Sequence, residues 1–282
     1  MKKLMIIWVI IIALGFSPAA SRAVGMANSS EHSSMAGLYK SMKSGEMSLE
    51  YQASIVIGTF VKNKGGDYLG RITDLVIDPQ NGGIAFAVLS RGGVLGIPMR
   101  FVAVPFSALT ASNEKHVYLL DMSEGKIAAA PSFDRDHWPD MANRGWVTDT
   151  YRFYGQNPNW GESNKPTPKP MAQKWSKAYD FKKIVGTPVK NEQGEELGNI
   201  HDMVVDSRGH VPFAVLSHGG FWGIDEKLVA VPFRDLNFDQ MGKDFVLNAT
   251  KENLDSAPSF QVTDLSNQKW AEDVYQHFGQ HP

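Results

Sequence analysis

Asp74 and Asp78 stand four residues apart, and Asp202 and Asp206 repeat the pair further along the chain. Two carboxylates this close are the raw material of a cation site or an acid–base pair. No base or nucleophile recurs beside them, so the plainer expectation is that these aspartates end strands and satisfy turn amides. The histidines are His32, His116, His137, His201, His210, His218, His277 and His281, and none is matched by a histidine in the other half of the chain. His277 and His281 have the spacing of helix-borne metal ligands, but Gly279 lies between them and Pro282 follows. Met26, Met35, Met42 and Met47 with His32 offer thioethers suited to Cu(I), at irregular spacing that reads more readily as a tether. Ser90 and Ser217 each lie two residues before a Gly-Gly pair. Neither sits in the Gly-x-Ser-x-Gly elbow of an activated serine, and His218 would point to the opposite face from Ser217. The Gly-Gly pairs lack the Lys-Ser/Thr and helix start of a phosphate cradle. With no cysteine there is neither a thiol nucleophile nor a thiolate metal site. No enzyme, cofactor or metal is expected from these residues.

The elements that would position such groups are dictated by a repeat. Ile57 to Asp78 matches Val185 to Asp206 at 12 of 22 positions, and Phe86 to Leu109 matches Phe213 to Leu236 at 15 of 24. The offset drops from 128 to 127 between the blocks, so the second copy has lost one residue in the turn after its aspartate. Thr59–Asn63 reads as a strand leading into the turn Lys64-Gly65-Gly66-Asp67, with Asn191-Glu192-Gln193-Gly194 in the same role. Leu69-Gly70 and Leu197-Gly198 open the next strand, whose end is apolar on both faces. Phe86–Ser90 and Phe101–Pro105 are further strands, with the proline confined to a strand end or edge. Lys115–Leu120 and Lys243–Leu247 close the two sheets. Short strands with turns this tight predict two small closed barrels.

The repeat continues past the barrels. Ala130-Pro131-Ser132-Phe133 returns as Ala257-Pro258-Ser259-Phe260, and Trp146 to Pro158 returns as Trp270 to Pro282. Trp146, Phe153 and Tyr154 fall on one helical face before Gly155, as do Trp270, His277 and Phe278 before Gly279. A short amphipathic helix is expected after each barrel. Its aromatics, with Tyr151, Trp160 and Tyr275, either anchor it to a barrel or serve a partner.

Ile57-Gly58, Asn63-x-x-Gly66, Leu69-Gly70-x-Ile72-x-Asp74-Leu75-Val76-Ile77-Asp78, Phe86–Ser90, Gly92-Gly93 and Val102-Ala103-Val104-Pro105-Phe106 together resemble the PRC-barrel family, as do their counterparts in copy two. That family is named for the photosynthetic reaction-centre H subunit and includes a domain of a ribosome-maturation factor. The resemblance covers 55–110 and 183–238. It implies a mainly β protein of two PRC-like barrels and an adaptor role rather than one reaction. Fold similarity alone is a weak warrant for function. In copy one Pro98-Met99-Arg100-Phe101 replaces Asp225-Glu226-Lys227-Leu228, so its loop is expected to be reshaped.

Lysine plus arginine number 28 against 30 acidic residues, a balance that argues against a nucleic-acid partner. Lys2-Lys3, the apolar run Leu4–Phe16, Pro18, and Ser21 and Ala23 at the −3 and −1 positions read as a bacterial signal peptide over 1–23, cut after Ala23. The mature protein would then be periplasmic or secreted, with no later membrane span. A flexible leader (24–52), a first unit (53–158), a Pro-rich linker (159–179) and a second unit (180–282) follow. The expected function is non-enzymatic binding or scaffolding of an envelope protein. Its candidate surface is Phe221, Trp222, Val94 and Leu95, where the copies differ most, with the aromatics Trp146 and Trp270. The other class of reading is a periplasmic binder of a small ligand or metal ion, linked to stress tolerance.

Overall fold

The structure, a computed structural model, describes residues 50–78, 82–93, 99–141, 143–158, 179–220, 226–238 and 243–280. The first half runs β1 (Glu50–Gln52), α1 (Ala53–Val56), β2 (Phe60–Lys62), β3 (Tyr68–Asp78), β4 (Gly83–Arg91), β5 (Arg100–Pro105), β6 (Leu109–Ala111) and β7 (Val117–Leu120), then α2 (Glu124–Ala128), β8 (Ser132–Phe133) and α3 (Arg144–Phe153). The second half repeats it: β9 (Tyr179–Asp180), α4 (Phe181–Ile184), β10 (Pro188–Lys190), β11 (Glu196–Asp206), β12 (Phe213–His218), β13 (Lys227–Pro232), β14 (Leu236–Phe238), β15 (Phe245–Leu247), α5 (Lys251–Ser256) and α6 (Gln268–His277).

Each half bends one sheet into a barrel. In the first the order is β6-β7-β2-β3-β4-β5-β8, and in the second β13-β12-β11-β10-β15-β14. Neighbours are antiparallel except β2 with β7 and β10 with β15, the parallel pairs that bring the sheet round. Pro105 and Pro232 end β5 and β13, and a 3-10 turn at Phe106–Ala108 or Phe233–Asp235 then swings the chain into β6 or β14. Gly198 shows why these positions are glycine. A Cβ there would sit 2.1 Å from the Ser217 carbonyl oxygen, and φ is +144°. Only a residue without a side chain lets β11 and β12 approach so closely.

Side chains alternate between two destinations. Ala87 and Leu89 face the barrel interior, while Phe86 and Val88 face outward beneath α3. Copy two does the same, with Ala214 and Leu216 inside and Phe213 and Val215 beneath α6. Strands apolar on both faces are therefore covered on both faces.

The barrels are not separate. β1 precedes barrel one in sequence but pairs antiparallel with β11 of barrel two, and β9 pairs with β3 of barrel one. α1 packs on β11 and α4 on β3. Ile84 N–H donates to the Gly209 carbonyl at 2.6 Å, and Val211 N–H donates to that of Gly82 at 2.9 Å. Phe106 lies against Gly209 and Phe233 against Gly82. Contacts that answer each other in this way are those of an isologous interface. One continuous apolar core holds Leu75, Ile77 and Val104 together with Met203, Val205 and Val231. Ala53–Val56 and Phe181–Ile184, at the starts of the two units read from sequence, each pack on the other copy's barrel. Among the described residues no helix is long and apolar enough to cross a membrane.

Candidate functional site

Asp74 and Asp202 are among the few buried polar residues, at 6% and 2% exposure. Each sits at an irregularity of its long strand, where the register shifts between Ile72 and Asp74 or between Ile200 and Asp202. Each accepts its neighbour's amide, from Leu75 at 2.9 Å and from Met203 at 2.7 Å. The remaining bonds cross between copies. Asp202 accepts the Ser54 amide at 3.2 Å and the Ser54 hydroxyl, and Asp74 accepts the Lys182 amide at 3.4 Å. Ser54 and Lys182 lie in the first turns of α1 and α4, where amides lack intrahelical partners. The two aspartates thus tie down the exchanged segments. The turn amides expected of them belong, in part, to the other copy. Burial pushes both carboxyls above the usual aspartate range, more than their hydrogen bonds pull them down. Asp206 does serve its own turn, accepting the amides of Arg208 and His210 at 2.8 Å each and meeting His210 Nδ1 at 2.9 Å.

The aromatic helices anchor to their own barrels. Trp146 and Tyr151 meet Phe86 edge-on, each at 5.3 Å between ring centres, and Tyr151 donates to the Ala85 carbonyl at 3.1 Å. Burial, with Asp78 nearby, pushes the Tyr151 hydroxyl up to about 12. Trp270 lies between Phe213 and Phe260 and is only 7% exposed. Trp270 is thus spent on the sheet beneath its helix, while half-buried Trp146 rests on Phe86, the anchoring that the helical spacing allowed. Phe221, Trp222, Val94 and Leu95 lie outside the described residues, as do His32, His281 and the methionines of the leader.

Candidates for function emerge where the copies disagree. On barrel one Phe60 and Tyr68 are exposed, at 37% and 52%, and stack edge-on at 5.9 Å. The Arg71 guanidinium lies 4.5 Å from the Phe60 ring centre and makes no ion pair among the described residues. Barrel two has Pro188, Glu196 and Asn199 in these places. Sequence reasoning missed this cluster because it sits inside a matched block whose agreement was read as fold. The signal was present in three mismatches of that block, which the pairing of Phe60 with Arg71 and of Lys62 with Tyr68, across a register shift, brings to one face of β2 and β3.

The second disagreement lies at the far end of β4 and β12. In copy two His218 is buried, turned away from Ser217, with Nδ1 2.5 Å from the Leu197 carbonyl and Nε2 3.0 Å from the Asp255 carboxylate. Lys227 donates to the carbonyls of Leu254, Asp255 and Ala257, holding the end of α5. His277 Nε2 meets the Asn253 carbonyl at 2.9 Å. Copy one replaces His218, Asp255 and Lys227 by Arg91, Ala128 and Arg100. Arg100 pairs with Asp134 at 2.6 Å. Tyr154, where copy two has Phe278, is 8% exposed and its hydroxyl has no partner among the described residues. Burial pushes that hydroxyl well up, and the charge of Arg91 partly counters it. No cluster of three or more metal-ligating side chains occurs among the described residues.

The PRC-barrel domain model matches residues 49–127 and 177–254, and no curated protein matches the chain. Each matched segment begins at the exchanged strand, so the lead-in is part of the family module although it packs on the other barrel. A domain of this kind suggests binding or scaffolding rather than catalysis. With two matched segments that together exceed half of the 282 residues, the chain belongs to the PRC-barrel domain family and carries the domain twice.

Proposed function

We propose that the protein is an exported adaptor of the bacterial envelope that docks another protein on barrel one. The observation that carries this reading is the exposed Phe60–Tyr68–Arg71 cluster, which barrel two lacks. Exposed aromatics beside an arginine are the residue types enriched at binding hot spots. Ion pairs Lys62–Glu114 and Lys64–Asp121, both 2.6 Å, flank the cluster and give it a polar rim. The Arg71 guanidinium, without an ion pair among the described residues, suits a partner with an acidic group beside an apolar one. The N-terminal Lys-Lys and apolar run support export.

Cross-linking in intact cells tests this. A Phe60→Ser/Tyr68→Ser variant is expected to lose a cross-linked partner that the native chain and a Glu196→Ala variant both retain. An unchanged cross-linking pattern in a variant that melts as the native chain does would sink the proposal. Fractionation places the location: recovery in the cytosol would exclude an envelope role.

A further inference from the structure

We propose that Arg91 and Tyr154 form a carboxylate-binding site on barrel one, at the place that barrel two fills with a carboxylate of its own. Three positions change together between the copies. His218 becomes Arg91, Asp255 becomes Ala128 and Phe278 becomes Tyr154. In copy two the cationic or donor side chain at the end of β12 is answered internally, because Asp255 on α5 reaches His218 at 3.0 Å. In copy one the end of β4 carries a permanent cation, and the answering side chain on α2 has been cut back to a methyl group.

The guanidinium of Arg91 makes no ion pair or hydrogen bond among the described residues, and across the ladder it faces a second arginine, Arg100. Arg100 is taken by Asp134 and Ser132. The hydroxyl of Tyr154 feels the Arg91 charge, belongs to the same apolar cluster as Ile127 and Ala130, and is buried with no partner among the described residues; in copy two the matching helix end is tied to α5, where His277 Nε2 meets the Asn253 carbonyl at 2.9 Å. A buried donor left unpaired is uncommon and asks for an acceptor. An arginine fork and a phenol hydroxyl converge on the needs of one carboxylate, which accepts from both at once. Half-buried Arg91 is the element that can turn aside to admit it, its stem resting on Gly70. This site stands whether or not barrel one docks a partner at Phe60.

The carboxylate has two possible sources, a free small acid or an acidic side chain of another polypeptide. The test uses the full-length mature chain labelled at the tyrosine ζ-carbon, titrated at constant ionic strength with malonate and, separately, with a blocked glutamate-bearing peptide and its glutamine counterpart. Saturable movement of the Tyr154 resonance is expected with one of the two carboxylates, and not with chloride or the glutamine peptide. Response to malonate marks a free acid as the source, and response to the peptide alone marks an acidic side chain. Arg91→Ala should weaken binding by at least about tenfold. Ala128→Asp, which restores the carboxylate of copy two, should do the same by occupying the site from within. If neither carboxylate moves Tyr154, the site does not exist. Native affinity in Ala128→Asp, which keeps every existing contact and so guards against a misfolded Arg91→Ala, would equally overturn it.

Discussion

At the scale of residues, the regular aspartates turn out to be joints rather than reagents. Asp202 answers the Ser54 amide, the Ser54 hydroxyl and the Met203 amide together. Asp202→Ala would strand these donors, and urea unfolding should show a loss of about 1–3 kcal/mol, with Asp202→Asn milder because it keeps an acceptor oxygen. Their titration makes a second prediction. Burial raises the folded-state pKa of Asp74 and Asp202 above the unfolded value, so the folded state holds more protons in the window between the two. Their contribution is then fully present below the ordinary aspartate range and is lost as pH rises through the raised values. Acidification from neutrality should therefore favour the native state through these groups. An Asp74→Asn/Asp202→Asn variant should show a flatter dependence of unfolding free energy on pH. An identical slope in both proteins would show that the aspartates do not titrate this way.

At the scale of elements, the short helices after each barrel hold through their aromatics, but not equally. Trp270 is buried between two phenylalanines, whereas Trp146 is half-buried against one. Trp270→Ala should cost about 3–5 kcal/mol in denaturant unfolding, and Trp146→Ala clearly less. Much at this scale was legible from the chain itself. The strands, Pro105 at a strand end and Gly155 after a helix follow from β-propensity, the missing proline donor and a positive φ of 70°. Less legible was which face each aromatic would take. Helical spacing places Trp270 beside Phe278, but whether that face meets solvent, a partner or Phe213 depends on the outer face of β12. A strand apolar on both sides holds the answer only once it is known what lies on each side.

For the whole molecule, the decisive relation was invisible to any reading of local pattern. Strand β1 is three residues long and pairs with residues more than 150 positions away. Its place in the sequence puts it in the stretch read as a leader ahead of barrel one, and hydrogen bonding assigns it to barrel two. The residues of the carboxylate site come from β4, α2 and the end of α3, and only the fold sets them beside one another. Exchange also predicts how the molecule fails. Proteolytic cutting within 159–178 should leave the halves together in gel filtration under native conditions, because a shared core and two exchanged strands hold them. Each half made alone should unfold at lower denaturant, and mixing the halves should restore the native transition. Independent melting of separate halves at the native midpoint would contradict the exchange.

The two answering hydrogen bonds at Gly82 and Gly209 are what a symmetric dimer of a single barrel would make, with every substitution forced to appear on both sides of the axis. Joining the partners in one chain lifts that constraint and replaces a concentration-dependent encounter by an intramolecular one. One side can then keep a histidine satisfied by its own aspartate while the other discards the aspartate and carries a permanent cation. Fusion is in this sense a licence for division of labour: one barrel is free to stay closed because its twin has been left open.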